Sequence, residues 1–157
     1  MKRPALRAVL GVSLGVAVVG CGSAQRQIQL TIRPSTDMNE SRSCYVLARA
    51  IDDKAFATES YDDVAAKAMA PDESVLSSIA VLPGVEQKVT LPVPEKGRIA
   101  VYALYRQPAD DSWRLLLLAT PPEKMELRLM RARMCWASED RSRGAAGACG
   151  TGGEGRR

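Results

Sequence analysis

Apolar and polar residues alternate with a period of two along most of the chain. Ile28, Leu30 and Ile32 are separated by Gln29 and Thr31 and flanked by Gln27 and Arg33, the pattern of a half-buried strand. Pro34 to Arg42 follows as a polar loop in which Met38 is the lone apolar residue. Cys44 to Ile51, CYVLARAI, is apolar on both phases and reads as a buried strand, with a short helix as the alternative. Between Asp52 and Pro71 the period lengthens. Tyr61, Val64, Ala65 and Ala68 recur at helical spacing, Ser60 and Asp63 form an N-cap pair, and Pro71 marks a stop. This predicts a helix over Ser60 to Met69, with Phe56 packing just ahead of it and the whole insertion covering one end of a sheet.

Beyond Pro71 the punctuation is that of an all-β domain. Val75 to Leu82 runs into Pro83-Gly84, a turn dipeptide. Val85 to Val93 alternates at Val89, Leu91 and Val93, and Pro92 and Pro94 argue for a sheet edge. Arg98 to Arg106 is apolar on both faces and belongs in the centre of a sheet. Pro108 to Asp111 turns the chain, and Trp113 to Ala119 runs back. Residues 123–136 carry two signals. Thr120-Pro121-Pro122-Glu123 has the form of a helix cap and EKMELRLMRARM is rich in helix formers, yet Met125, Leu127 and Leu129 alternate with charged residues. Completing a sandwich favours the strand, with a bulge or strong twist where the phase shifts at Met130. Strands at this spacing indicate a mainly β, two-sheet sandwich with a short helical insertion.

The N-terminus follows another pattern. Met1, Lys2, Arg3 and Arg7 precede twelve uncharged residues, Ala8 to Val19, and then Gly20, Cys21 and Gly22. A cationic start, an apolar run and a small residue make a secretory signal peptide. Twelve residues are too few for a membrane span, which needs roughly 20. Val18-Val19-Gly20-Cys21 resembles the lipobox of bacterial lipoproteins, which implies cleavage before Cys21 and lipid on its thiol and amine. Two or three acyl chains on one residue anchor a protein stably where a single chain does not. Gly22 stands where an aspartate would signal inner-membrane retention, so the expected location is the periplasmic face of the outer membrane. The expected organisation is a signal peptide over 1–20, lipidated Cys21 and a short tether over 21–27, a sandwich domain over 28–136, and a disordered Gly/Arg-rich tail over 137–157. Gly22 to Gln27 spans on the order of 20 Å at full stretch, which keeps the domain close to its membrane.

Charge and composition exclude more than they suggest. The net charge of +4 is concentrated in the signal, since Lys2, Arg3 and Arg7 are three of 22 basic residues against 18 acids. The mature chain is nearly neutral and shows no basic face for nucleic acid. Histidine is absent, which removes His-dependent triads, His-bearing zinc sites and most pH switches. Cys44, Cys135 and Cys149 lack metal-site spacing, and in an oxidising compartment a disulfide is expected. Cys44 opens the second strand and Cys135 closes the last, so those two are expected to pair and Cys149 to stay free. Asp52-Asp53, Asp62-Asp63 and Asp110-Asp111 fall at loops or a helix start, where acids serve solvation and capping. No catalytic residue, metal, cofactor or small-molecule substrate is expected.

Together the residues are similar to a known family. A lipobox, a strand, a polar loop, a second strand and a Phe56/Tyr61/Val64 helical insert are followed by Val81-Leu82-Pro83-Gly84. Tyr105-Arg106 and Trp113-Arg114 then flank a short acidic turn. From about Cys21 to Ala119 this resembles the type VI secretion outer-membrane lipoprotein, the TssJ (SciN/VasD) family. The resemblance implies a transthyretin-like sandwich and a subunit of a trans-envelope complex that binds the periplasmic part of the inner-membrane subunit TssM. It assigns the contact to the first inter-strand loop, here Pro34 to Arg42. Within that loop Met38 would enter a partner's pocket while Asp37, Asn39 and Glu40 form its rim; the alternative is that Met38 folds back onto the sandwich. The chain departs from the family in lacking Asn-Pro before the second strand and in its cysteine-bearing, glycine-rich end. The alternative is a generic envelope lipoprotein whose sandwich binds a small ligand, a glycan or another periplasmic partner.

Overall fold

The period-two segments pair into two four-stranded sheets. The computed structural model describes residues 25–137 and residue 149; the signal peptide, Cys21 and nearly all of the tail lie outside the described residues. The strands are β1 (Gln27–Pro34), β2 (Cys44–Ile51), β3 (Val75–Val81), β4 (Gln87–Pro92), β5 (Arg98–Ala103), β6 (Arg114–Leu116), β7 (Lys124–Leu129) and β8 (Met134–Trp136). One sheet has the order β4-β1-β7-β8 and the other β3-β2-β5-β6. All pairings are antiparallel except β1 with β7. The proline-bearing β4 is an edge and the doubly apolar β5 is interior, as their sequences require.

Alternation decides which side chains meet between the sheets. Ile28, Leu30 and Ile32 of β1 are buried, and Gln27 and Gln29 are not. Leu127 and Leu129 of β7 join them, and Val46, Ala48, Ile99 and Val101 of the second sheet complete the core. Where β1 and β4 face β2 and β3, only about 10 Å³ of empty space remains among Leu30, Ile32, Val46 and Leu91. That is about the room of one water molecule, so this part of the interior holds no small ligand or glycan.

The insertion after β2 forms two helices, α1 (Asp53–Thr58) and α2 (Tyr61–Met69). The second was expected. Ser60 and Asp63 cap it reciprocally, and the hydrogen bonds from Ser60 hold the Asp63 carboxyl below its usual range. The first was not, because six residues with one large apolar side chain carry no helical stripe. Its signal was Asp52, whose carboxylate accepts the Ala55 N–H at 2.8 Å. Residues 123–136 also need a correction. The phase shift at Met130 is a turn between β7 and β8, closed by the Met130 N–H donating to Arg133 O at 2.8 Å, and there is no bulge.

Candidate functional site

Strand direction gathers the loops. β1 carries the chain about 25 Å, at roughly 3.3 Å per residue, from the tether side to the far end of the sandwich. β4 is antiparallel to it and β7 parallel, so the β3–β4 turn and the β7–β8 turn lie at that same far end. β2 starts there and β5 finishes there. The loop assigned to partner binding is therefore displayed one strand length from the start of β1 at Gln27.

Within this loop Asn39, Glu40 and Ser41 have φ of 48°, 58° and 59°. Three successive non-glycine residues in the left-handed region persist only where their surroundings over-determine them. Those surroundings are explicit. The Asn39 N–H donates to Arg131 O at 3.0 Å. Its side-chain amide donates to Ser43 O at 2.8 Å, and its Oδ1 accepts the Arg106 N–H at 2.8 Å. Ser35 Oγ donates to Asp37 Oδ1 at 2.5 Å. The loop is a fixed shape, tied to the β5 end and the β7–β8 turn.

The expected contact residues divide in two. Asp37 and Glu40 are exposed, as a rim requires, and Glu40 lies 3.9 Å from the Arg106 guanidinium. Met38 is fully buried and Asn39 nearly so, which corrects the reading of Met38 as a protruding anchor. An apolar side chain over the open end of a sandwich gains more by closing the core than by facing water. Met38 Sδ lies 3.9 Å from the Cys44 thiol, whose burial raises its pKa to about 11. The sequence marked Arg106 only as part of the Tyr105-Arg106 pair and did not show that its backbone N–H fixes Asn39, 67 positions away.

The disulfide expectation is also corrected. Cys135 pairs with Cys149, with Cα atoms 4.9 Å apart, and Cys44 is a free, buried thiol. The reason is strand parity. Leu127 and Leu129 of β7 face the core, with Trp136 and Met134 opposite them, so Cys135, opposite Arg128, points to the outer face. Cys44 points inward from the other sheet. The tail thus contributes a residue to the domain: the Cys149 N–H donates to Trp136 O at 2.8 Å.

The acid pairs and the Trp113-Arg114 hairpin hold the insertion in place. Asp52 and Asp63 cap helices, Asp53 pairs with Arg98 at 3.1 Å, and Asp111 pairs with Arg114 at 3.2 Å. Arg114 stacks 5.3 Å from the Phe56 ring and donates to the carbonyls of Phe56 and Glu59. An open cleft of about 580 Å³ lies along α1 and α2, but its polar groups are engaged elsewhere. Glu59 accepts from Arg49 and Tyr102, and Lys67 donates to Asp72 at 2.7 Å. Those hydrogen bonds from Lys67 and Ser74 depress the Asp72 carboxyl's pKa.

Comparison with known proteins places this arrangement. The model of the IglE N-terminal domain family matches residues 45–129, more than half of the chain. The chain belongs to that family. No curated protein matches the sequence. Among solved structures, the type VI secretion lipoprotein TssJ1 from Pseudomonas aeruginosa shares 14% identity at a TM-score of 0.57, over 72% of this chain and 95% of that one. Serratia marcescens Lip, a membrane-bound component of the type VI secretion system, shares 17% at 0.59, over 73% and 98%. A chain in the structure of the type VI secretion protein TssM C-terminal domain (869–1107) from EAEC shares 17% at 0.56, over 71% and 97%. The expected TssJ-like sandwich is the observed fold, and its neighbours include TssJ and Lip lipoproteins.

Proposed function

We propose that this protein is the outer-membrane lipoprotein subunit of a type VI secretion membrane complex, anchored through Cys21 and binding the periplasmic part of the inner-membrane subunit TssM. The observation that carries the reading is the fold match over nearly the full length of TssJ1 and Lip. Two further features support it. The lipobox precedes β1 by a few residues in the sequence, and β1 then delivers a loop of fixed shape to the end opposite its own start. A partner rooted in the opposite membrane meets that end first. The role is one of binding, without enzymatic activity, metal or cofactor. A ligand-binding sandwich finds no support around Leu30, Ile32, Val46 and Leu91, where only about 10 Å³ between the sheets is empty.

The test is a purification of the lipidated protein from detergent-solubilised membranes, with the TssM-type subunit of the same cell identified by mass spectrometry. We expect that subunit to co-purify from the outer-membrane fraction, and Cys21→Ser to remove the protein from that fraction and abolish secretion. Outer-membrane retention of Cys21→Ser overturns the anchor. Absence of the TssM-type subunit overturns the partner.

A further inference from the structure

Four large apolar side chains are exposed among the described residues, and three of them share one corner. Leu82 is 52% exposed, Tyr45 48% and Val85 47%; the fourth, Met69, lies on α2. Tyr45 opens the outer face of β2 opposite Ala80, two residues before Leu82 on the neighbouring strand. Leu82 and Val85 flank Pro83-Gly84 in the β3–β4 turn. The Val85 N–H donates to Leu82 O at 3.2 Å and Gly84 has φ +72°, the arrangement of a type II turn. This turn is locked to the candidate loop. The Gly84 N–H donates to Ser35 O at 3.2 Å, and a Cβ on Gly84 would sit 3.3 Å from Thr36 Cγ2. The apolar corner and the exposed acids Asp37 and Glu40 thus form one preorganised surface.

We infer that Tyr45, Leu82 and Val85 are the apolar centre of the docking surface for a folded periplasmic protein domain, with the loop bearing Asp37 and Glu40 as its rim. This rests on the proposed partner role and names the residues that carry it. Among the described residues no segment of the chain covers the corner. Residues 138–148 and 150–157 contain no apolar side chain larger than alanine. The N-terminal end of the described chain, Gln25, leads into the start of β1, at the opposite end of that strand. A membrane surface is disfavoured for the same reason, because the proposed lipid attachment residue precedes Gln25 by four positions in the sequence and β1 runs from there to the corner. Three half-exposed side chains supply a fraction of the roughly 800 Å² per partner that a stable interface buries. They therefore act as the centre of a larger patch whose rim carries both signs, Glu40 beside Arg106 and Arg33 beside Glu86. The partner chemistry that fits is an apolar pocket with a mixed polar surround.

The test uses the lipidated full chain in detergent and the purified periplasmic domain of the TssM-type subunit from the same cell. The affinities of wild type, Leu82→Ser/Val85→Ser and Tyr45→Ser are compared by calorimetry. We expect each variant to weaken binding about tenfold or more, and Asp37→Ser/Glu40→Ser about threefold or less. Melting temperatures of all variants should stay near wild type, and Leu82→Ala/Val85→Ala repeats the test if the serine pair melts early. Wild-type binding with both apolar variants within threefold of it overturns this inference and leaves the proposed function standing. No wild-type binding overturns both. Loss of outer-membrane retention in Leu82→Ser/Val85→Ser with Cys21 intact assigns the corner to the membrane, and loss of self-association assigns it to a second copy. Either result overturns the inference.

Discussion

On the outer face of the β4-β1-β7-β8 sheet, Arg33 reaches Glu86 at 3.0 Å and Glu126 at 3.2 Å, and Arg128 reaches Glu126 at 3.1 Å. On the outer face of the other sheet, Arg49 meets Glu59 beneath the helical insertion. The Arg33 and Glu86 side chains are 53% and 44% exposed; those of Arg49 and Glu59 are 10% and 8%. The same two residue types thus serve opposite ends. Exposed pairs contribute at most about 1 kcal/mol and chiefly keep the face polar. The covered pair lies beside Tyr102, whose ring packs against Phe56 and Trp113 and whose hydroxyl donates to Glu59 Oε2 at 2.6 Å. Such a pair adds little over an apolar replacement but is costly to break, because the surviving charge stays buried. Arg49 is already short of one acceptor at Nε among the described residues. Desolvation, compounded by the hydrogen bond to Glu59, raises the Tyr102 hydroxyl well above its usual range.

Four variants separate the two faces. Glu59→Ala should have the largest effect, about 3–5 kcal/mol lost from the urea-unfolding free energy, by stranding Arg49. The second variant, Arg49→Met/Glu59→Leu, should recover most of that; failure to recover would mean the pair stabilises on its own account. Cys149→Ser comes next. It opens a loop with a sequence separation of 14 on the polar face, which costs about 3 kcal/mol in the chain-entropy model. A reducing agent should lower the wild-type midpoint by the same amount and leave the variant unmoved. Arg33→Ala should be the mildest, within about 1 kcal/mol and smaller in high salt. A loss equal to that of Glu59→Ala would erase the distinction between the faces.

The same contrast governed how legible each region was in the sequence. The polar face of the first sheet was readable from β1 alone, since Gln27, Gln29 and Arg33 alternate with Ile28, Leu30 and Ile32. The covered face of the second sheet was readable only as an excess of apolar residues on both phases of β2 and β5. That excess says a layer lies outside the sheet, and the Ser60–Asp63 cap located half of it. α1 escaped because its stability comes from packing Phe56 and Glu59 against Tyr102 and Arg49, with no stripe of its own. In the candidate loop, composition marked Met38 as unusual but could not say which way it points. The apolar corner was hidden because Tyr45, Leu82 and Val85 look like ordinary strand residues.

Period, capping and turn chemistry act between residues close along the chain. By itself, therefore, the sequence determined the strands as far as Ala119, the α2 cap, the Pro83-Gly84 turn, the edge position of β4 and the interior position of β5, but not the division of residues 123–136 into β7 and β8. Tertiary structure alone decided matters that depend on side chains meeting across many residues. It paired β1 with β7 in parallel, bringing together positions nearly a hundred residues apart. It drew Met38 into the core, and by strand parity turned Cys135 outward to Cys149 and Cys44 inward to a buried thiol. It also left Leu82 and Val85 in water, because the turn that carries them is held by Ser35 at the end of the sandwich, beyond the reach of either sheet.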